Sequence, residues 1–544
     1  MKQAMILSFA CSLLVCMPDV PAAAAPADRS NLARGPSAAG QYGVYEIELT
    51  ARGAVEAPYL GTKVRVVFTG PDGADVVVDA FYDGDGHYKA RAYCHTTGQW
   101  TWRSESDRPE LDGRKGAFTV EPSDLPGKLR LCERDPYQFA YDNGDWFLHI
   151  GDTGYRYAVD SEPRWREYID EAAEMGVTKV RTWFCRSRSG VEALFAEGRK
   201  GMNLAYWQEI DRRLSYALDR HPNIIFQLIL YGEDTKELLR YDQGDPACQY
   251  VARYAQARWS AFPNVYWCIS NDREIVRDRP LQGRRVPHGT IDRIGRDMEQ
   301  REPWGTLITN HQARLSGYDF TEAPWSDIVT LEDLDQVHGK VILAYRDKAK
   351  RPIVNDEDRY ELYRNPANHR YFFRRLMWAS LLSGGHATYG GLRTYEAYDG
   401  GPQRGVQGYF RANRAGVLSQ GGHDFRHIHS FFGSGKMDLI GMRPDDACVG
   451  GDPLKWKCCH TDRTYIIYLA NPTGADPRTD NPHFNRPSVT VTLPEGKYRV
   501  RWFDPRSGEW TAGGPISGGR KRLKTPGDAR IGWGDWIVVL DKTS

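Results

Sequence analysis

The chain lacks net charge: 72 lysines and arginines stand against 71 aspartates and glutamates in 544 residues. That balance gives no long-range attraction to a polyanion, so neither nucleic acid nor an anionic lipid surface is an expected partner. Beyond the N-terminal end, no stretch is long and apolar enough to span a bilayer. Cysteine is sparse, ten in all, and no pair has the spacing of zinc ligands. Neither a paired-histidine metal motif nor a glycine-flanked serine nucleophile occurs, which argues against a metallohydrolase or an esterase. No metal and no other cofactor is expected. Aromatic residues, by contrast, make up 12% of the chain, with 16 Trp and 30 Tyr. Such a surplus suits stacking on the apolar face of sugar rings, and equally the cores of β-rich domains.

The N-terminus reads as an export signal over residues 1–25. Lys2 supplies the positive end, Ala4 to Met17 the apolar stretch and Ala22 to Ala25 the cleavage zone. A secreted or periplasmic protein follows. Val15 is bulky for a lipoprotein cleavage site, so anchoring through Cys16 is disfavoured. Loss of Cys11 and Cys16 leaves eight cysteines, of which Cys448 could bridge to the adjacent Cys458 or Cys459. The length calls for two to four domains. Residues 26–40, rich in Ala, Pro, Gly and Ser, read as a linker. Residues 41–124 hold short alternating runs such as Tyr45–Leu49 and Lys63–Phe68, with a turn at Asp83-Gly84-Asp85-Gly86; this is the grammar of an Ig-like β-sandwich.

Over residues 125–435 the pattern changes to strands alternating with helices. Strand candidates end at Asp152, Trp183, Leu230, Ser270, Asn310 and Leu331, then in the run from Pro352 and in Ala387–Gly390. Helical stretches run from Glu162, Tyr206, Ala247 and Asn368. Eight βα units predict a closed (β/α)8 TIM barrel. An open doubly wound sheet is second, because no Gly-rich phosphate loop follows the first strand. Residues 436–544 return to period-two runs, Tyr465–Leu469, Ser488–Leu493 and Tyr498–Phe503, and predict a second β-sandwich. The fold class is therefore multidomain, a central barrel flanked by two β-sandwiches.

Two apolar runs in the barrel end in acid: Val265–Ser270 leads into Asn271-Asp272, and Pro352–Val354 into Asn355-Asp356-Glu357. They lie three βα units apart, and barrel strands point their C-terminal ends at the active-site mouth. Two carboxylates in one cleft supply a proton donor and a nucleophile or base, the equipment of a glycosidase. Asp272 could instead cap a following helix. Among the three acids of the seventh strand, alternation sets Glu357 opposite Asp356 and Asp358, and the residues alone leave Asp356 and Glu357 rivals. Candidates for substrate contact are Asp152 on the first strand, Trp183 sharing a face with Arg181 on the second, and Tyr231 after the third. Asn271, Asn310 with His311, Tyr360, and His386 with Tyr389 complete the set. The histidines rank below the carboxylates.

Residues 136 to about 435 resemble the apiosidase-like (β/α)8 glycoside hydrolases. The matching motifs are Phe147 to Thr153, the strand ending in Asp272, Pro352-Ile353-Val354 with Glu357 and Tyr360-Glu361, and Gly384 to Gly390. The first sandwich is similar to the module often found ahead of such barrels. The segment from Trp502 to Trp536 is similar to a domain labelled collagen-binding in related chains. The resemblance implies a retaining hydrolase of a polysaccharide or oligosaccharide, with Asp272 as acid/base and Glu357 as nucleophile. A non-catalytic glycan- or matrix-binding protein with a degenerate barrel is the alternative, separable by whether the two carboxylates converge.

Overall fold

The computed structural model describes residues 31–34, 38–53, 55–155, 157–183, 190–232, 234–276, 285–360, 369–391, 421–471, 487–527 and 534–544. The expected signal segment lies outside them, as does most of the expected linker. Two pieces of that linker are strands: Leu32–Arg34 pairs in parallel with Val44–Glu46, and Ala39–Gly40 with Val120–Glu121. Leu32 and Ala39 are buried, so even this Ala-rich stretch finds a sheet edge to cover.

The N-terminal region has a four-stranded sheet, ordered Leu32–Arg34, Val44–Thr50, His87–Tyr93, Phe81–Gly84. A five-stranded sheet is ordered Ala39–Gly40, Lys115–Glu121, Gly98–Ser106, Val64–Thr69, Asp75–Asp79. Alternation decides the faces: Val64, Val66 and Phe68 point inward while Arg65 is exposed. Tyr45 of one sheet stacks on Phe118 of the other with ring centroids 3.7 Å apart.

Eight parallel strands form the central barrel: Gly151–Thr153, Lys179–Trp183, Ile225–Ile229, Val265–Cys268, Ile308–Thr309, Val329–Glu332, Ile353–Glu357 and His386–Tyr389. The first pairs with the eighth, in the register Gly151 to Thr388. Between the fifth and sixth, Thr309 Oγ1 donates to Ile328 O at 2.8 Å and Asp327 N to Ile308 O at 2.9 Å. Every residue of these strands is buried, as strands covered on both faces require. Asp234 and Asp245 each accept from two backbone N–H groups to cap the helices Thr235–Asp242 and Pro246–Trp259.

One expected strand differs. Phe147, read as part of the first barrel strand, belongs to a small antiparallel sheet of Leu129–Leu131, Phe139–Tyr141 and Trp146–Phe147. Leu129, Phe139 and Phe147 pack with Ile225, Tyr266 and Val354, so this sheet plugs the floor of the barrel. Sequence patterning also passed over the helix His288–Arg301, whose apolar stripe is only Ile291, Ile294 and Met298. Gly295 in that helix lets Trp325 approach so closely that a Cβ would lie 2.2 Å from its ring.

The C-terminal region is a seven-stranded antiparallel sheet around Thr464–Leu469 and Trp536–Lys542. Its long strand Ser488–Asp504 shifts register between Leu493 and Lys497. Val489, Val491 and Leu493 thereby fold over Tyr465, Ile467, Val538 and Leu540, closing a core of their own. The other face, with Ile466, Phe503 and Val539, packs on Trp378 and Phe431 of the barrel helices His369–Leu382 and Phe425–Gly435. Cys448 Sγ donates to Cys458 Sγ at 3.5 Å with no disulfide between them, while Cys459 turns to Met442.

Buried charges fasten the N-terminal sandwich to the barrel helices. Arg91 meets Glu46 at 2.7 Å and Asp211 at 2.6 Å; Arg258 meets Asp211 at 2.8 Å and Asp83 at 2.7 Å. Lys89 completes Asp83 at 2.6 Å, and Trp259 Nε1 donates to Asp211 at 2.6 Å.

Candidate active site

At the C-terminal ends of the barrel strands, Arg181 is the hub. It is fully buried on the second strand. Its Nη1 donates to Glu357 Oε2 at 2.7 Å, and its Nη2 to Asn271 Oδ1. Tyr155, which follows the first strand, donates to Glu357 Oε2 at 3.3 Å and contacts Asn271 Oδ1 at 3.4 Å. The ring of Tyr155 stacks on Trp183 at 4.3 Å and takes the Arg181 guanidinium on its face at 5.1 Å. Trp183 is therefore covered by Tyr155 and backs the hub.

A bulge in the seventh strand sets the two rival acids apart. The sixth strand pairs Leu331 with Asn355 and then Glu332 with Glu357, so Asp356 is the extra residue. A bulge re-aims side chains, and here Asp356 and Glu357 both reach Arg181, against the alternation expected of a regular strand. Asp356 sits lower, paired with Lys179 and Thr388 in the barrel lumen. The Lys179 and Arg181 charges hold its carboxyl below the usual range against its burial. Burial brings Lys179 down to about 8 despite that pairing. Asp358 turns to the backbone N–H groups of Asp335 and Gln336.

Asp272 follows the fourth strand with a φ of 50°, left-handed backbone that asparagine and aspartate tolerate better than most residues and that clusters at functional sites. No helix follows it; Glu274–Val276 is a short strand, so capping is not its task. His311 Nδ1 lies 3.3 Å from Asp272 Oδ1 and 3.5 Å from its amide nitrogen. Burial alone would raise the Asp272 carboxyl, but His311, Arg181 and a hydrogen bond from Glu332 together hold it below the ordinary carboxylate range.

Glu332 is a third carboxyl in this space. It ends the sixth strand, 3% exposed, with Arg314 Nη2 at 2.6 Å. Arg314 also stands 3.7 Å from Glu357 Oε1. Burial first, then the charges of Glu357 and Asp272, push Glu332 well above the usual range. One oxygen each of Asp272, Glu332 and Glu357 and a ring nitrogen of His311 all lie within 4.8 Å of one another. Such a set could hold a cation, but Arg181 and Arg314 already bring two positive charges to these carboxylates and oppose one.

Of the remaining sequence candidates, some lie away from this cluster. Asp152 turns outward to accept from Tyr168 at 2.6 Å, and burial lifts its carboxyl to about 6. The Tyr231 hydroxyl donates to Cys248 O at 2.9 Å, into the helix layer. Tyr389 packs between Phe373 and Phe425, also outside the barrel. His386 begins its strand rather than ending it; its Nε2 meets Tyr137 O at 3.2 Å on the barrel floor, and burial lowers the ring to about 4. Asn310 accepts from Ser270 N and Oγ at 3.1 and 2.7 Å, which fixes the turn carrying Asp272. Tyr360 is buried and bridges to Gly390 beside the mouth. Asp272, Glu357, Asn271 and His311 come together. Glu332, Arg314 and Tyr155 join them unannounced, although Ile328–Leu331 running into Glu332 has the same apolar-then-acid grammar as the other two acidic strand ends.

Comparisons with known proteins agree with this fold. The candidate glycoside hydrolase of Bacteroides vulgatus ATCC 8482 superposes with a TM-score of 0.68 at 16% identity, covering 94% of this chain and all of its own (100%). A glycoside hydrolase family 5 protein of the same organism gives 0.59 at 14% identity, over 77% of this chain and 95% of its own. At these identities the likeness is one of fold. No curated protein matches the chain. A domain of unknown function, DUF5060, matches residues 38–107. The family described as "Apiosidase-like, catalytic domain" matches residues 134–437, more than half of the chain. With that match laid over the barrel and its acidic mouth, the protein belongs to the apiosidase-like glycoside hydrolases.

Proposed function

We propose that the protein is exported and hydrolyses a polysaccharide or oligosaccharide with retention of anomeric configuration, with Glu357 as nucleophile and Asp272 as acid/base. The observation that carries this reading is the short span between the two side chains, whose nearest oxygens lie within 4.8 Å. Retaining enzymes hold their carboxyl groups about 5–5.5 Å apart, whereas inversion needs about 6.5–9.5 Å to admit a water. Arg181 and Tyr155 occupy Glu357 Oε2, which leaves Oε1 for attack on the anomeric carbon. As the bond to the leaving oxygen breaks, Asp272 protonates that oxygen. Water then attacks the glycosyl-enzyme ester and gives its proton to Asp272, releasing the sugar and the Glu357 carboxylate. Asn271, pinned by Arg181, is placed to meet a hydroxyl next to the reacting carbon.

The test is a hydrolysis screen over plant, algal and bacterial polysaccharides, apiosides included, followed by NMR of the first product formed. The expected product keeps the anomeric configuration of the substrate, and Glu357→Ala abolishes it. Adding azide to that variant should yield a glycosyl azide of inverted configuration. An inverted first product from the unaltered protein, or full activity in Glu357→Ala, would overturn the reading.

A further inference from the structure

An acid/base must hold a proton when the substrate arrives, yet the surroundings of Asp272 favour its ionised form. The groups around Glu332 show where that proton rests. From the seventh strand it faces Glu357, its ladder partner; from the fourth strand's end, Asp272; from the fifth strand's end, His311, beside Asp272. Arg314 reaches it from the loop beyond, and Arg181 stands behind on the second strand.

Two carboxyl groups in hydrogen-bond contact need a proton between them, because two carboxylates offer only acceptors. Asp272 and Glu332 face each other as such a pair: their nearest oxygens lie within 4.8 Å, and a hydrogen bond from Glu332 is one of the influences that keep Asp272 ionised. Glu332 is the more enclosed, 3% exposed against 16% for Asp272, and it faces two acids. We propose that Glu332 is a positioning residue that stores the catalytic proton, donating it to the Asp272 carboxylate and passing it through Asp272 to the glycosidic oxygen. As Asp272 hands a proton to the leaving oxygen, Glu332 passes its own to Asp272, so both end as carboxylates, Glu332 held by Arg314 and Asp272 ready to act as base. In the second half-reaction the water gives up one proton to Asp272. The pair then relaxes to protonated Glu332 and ionised Asp272, so no proton is gained or lost over the cycle. The inference rests on Asp272 being the acid/base of the proposed reaction, and its experiment has one arm that needs no substrate.

In that arm, infrared spectra of protein labelled with ¹³C at the glutamate side-chain carboxyl are taken at neutral pH. A protonated glutamate carbonyl band is expected in the unaltered protein, absent from Glu332→Gln and retained in Glu357→Gln. The label excludes the buried aspartates Asp327 and Asp358, both lifted by burial to about 7. No protonated glutamate band, or one that survives Glu332→Gln, overturns the proposal.

The second arm uses an alkyl and an aryl glycoside of whichever sugar the unaltered protein cleaves. Glu332→Gln should slow hydrolysis of an alkyl glycoside by about 10²–10³-fold, the size of a general-acid contribution. A dinitrophenyl glycoside, whose leaving group needs no proton, should lose less than about threefold in the glycosylation step. Glu332→Asp should recover part of the loss and shift the alkaline limb of the pH profile. Equal slowing of both substrates would mean mere misplacement and would overturn the proposal. Wild-type rates in Glu357→Gln would sink the retaining reading instead, while the infrared band still decides the proton's place.

Discussion

Two buried arginine–carboxylate networks in this molecule use the same residue types to opposite ends. Around Arg91, where the sandwich meets the barrel helices, three cationic side chains meet three acids. Asp211 alone takes hydrogen bonds from Arg91, Arg258 and Trp259. Those partners hold its carboxyl well below the ordinary range although it is buried. Around Arg181, three acids converge on two guanidinium groups, and the buried Asn271 Nδ2, His311 Nε2 and Arg314 Nε have no hydrogen-bond partner among the described residues. Buried polar groups are normally satisfied, so a cluster of exceptions needs a reason. Satisfied charges fasten two parts of a fold. Unsatisfied ones beside converging acids leave hydrogen-bonding capacity for a substrate, and the left-handed backbone at Asp272 adds local strain at the same place.

The contrast breaks most visibly under truncation of one acid from each network. Asp211→Ala leaves Arg91 and Arg258 buried without their shared acceptor, and should cost about 3–5 kcal/mol in denaturant unfolding. Glu357→Ala should remove turnover yet shift unfolding by less than about 1 kcal/mol, because catalytic sites trade stability for function. Asp272→Ala should behave like Glu357→Ala. If Glu357→Ala destabilised the protein as much as Asp211→Ala, the mouth would be a structural network like the other and the contrast would fall.

A smaller effect concerns alkaline pH. The folded state raises Glu332 above the ordinary glutamate value of 4.5, so it holds a proton that the unfolded chain releases. The stability this confers is fully present below that ordinary value and is lost as pH rises through the alkaline range. Asp211, whose folded value is depressed, has the reverse sign: its contribution is present at neutral pH and lost in acid. Glu332→Gln should therefore flatten the fall in melting temperature between neutral and alkaline pH, and Asp211→Asn the fall toward acid. Unchanged slopes in both would show that these acids do not titrate differently in the two states.

Much of this was legible because barrel strands buried on both faces read as unbroken apolar runs, as Ile224–Leu230 does. The first strand is masked for the same reason: the plug residue Phe147 and Leu148 beyond it are apolar, while Gly151-Asp152-Thr153 carries no such signal. The faces of residues at strand ends were not legible. A one-residue shift flips every side chain, and the bulge at Asp356 makes such a shift; Asp152 and Tyr389 lie on the outer face of their strands. Arg314 and Tyr155 had no local signature, since loops bring them to the site only when the barrel closes. Glu332 does have one: Ile328–Leu331 is an apolar run that ends in this acid.

The smallest effect tests how far the hub depends on its weakest member. Tyr155 touches Glu357 and Asn271 at 3.3 and 3.4 Å, long for hydroxyl hydrogen bonds, which favour about 2.7–2.8 Å. Its ring stacks on Trp183 and carries the Arg181 guanidinium on its face, contacts that do not depend on the hydroxyl. Tyr155→Phe keeps the ring and removes only the hydroxyl, so a loss of about 0.5–1.5 kcal/mol is expected, read as a drop of about two- to twelvefold in kcat/KM. Tyr155→Ala removes the stack as well and should cost more in both activity and stability, because Arg181 then loses the surface that aims it at Glu357. A drop for Tyr155→Phe as deep as that of Glu357→Ala would make the hydroxyl a participant in bond cleavage, and the mouth would then work through four groups rather than three.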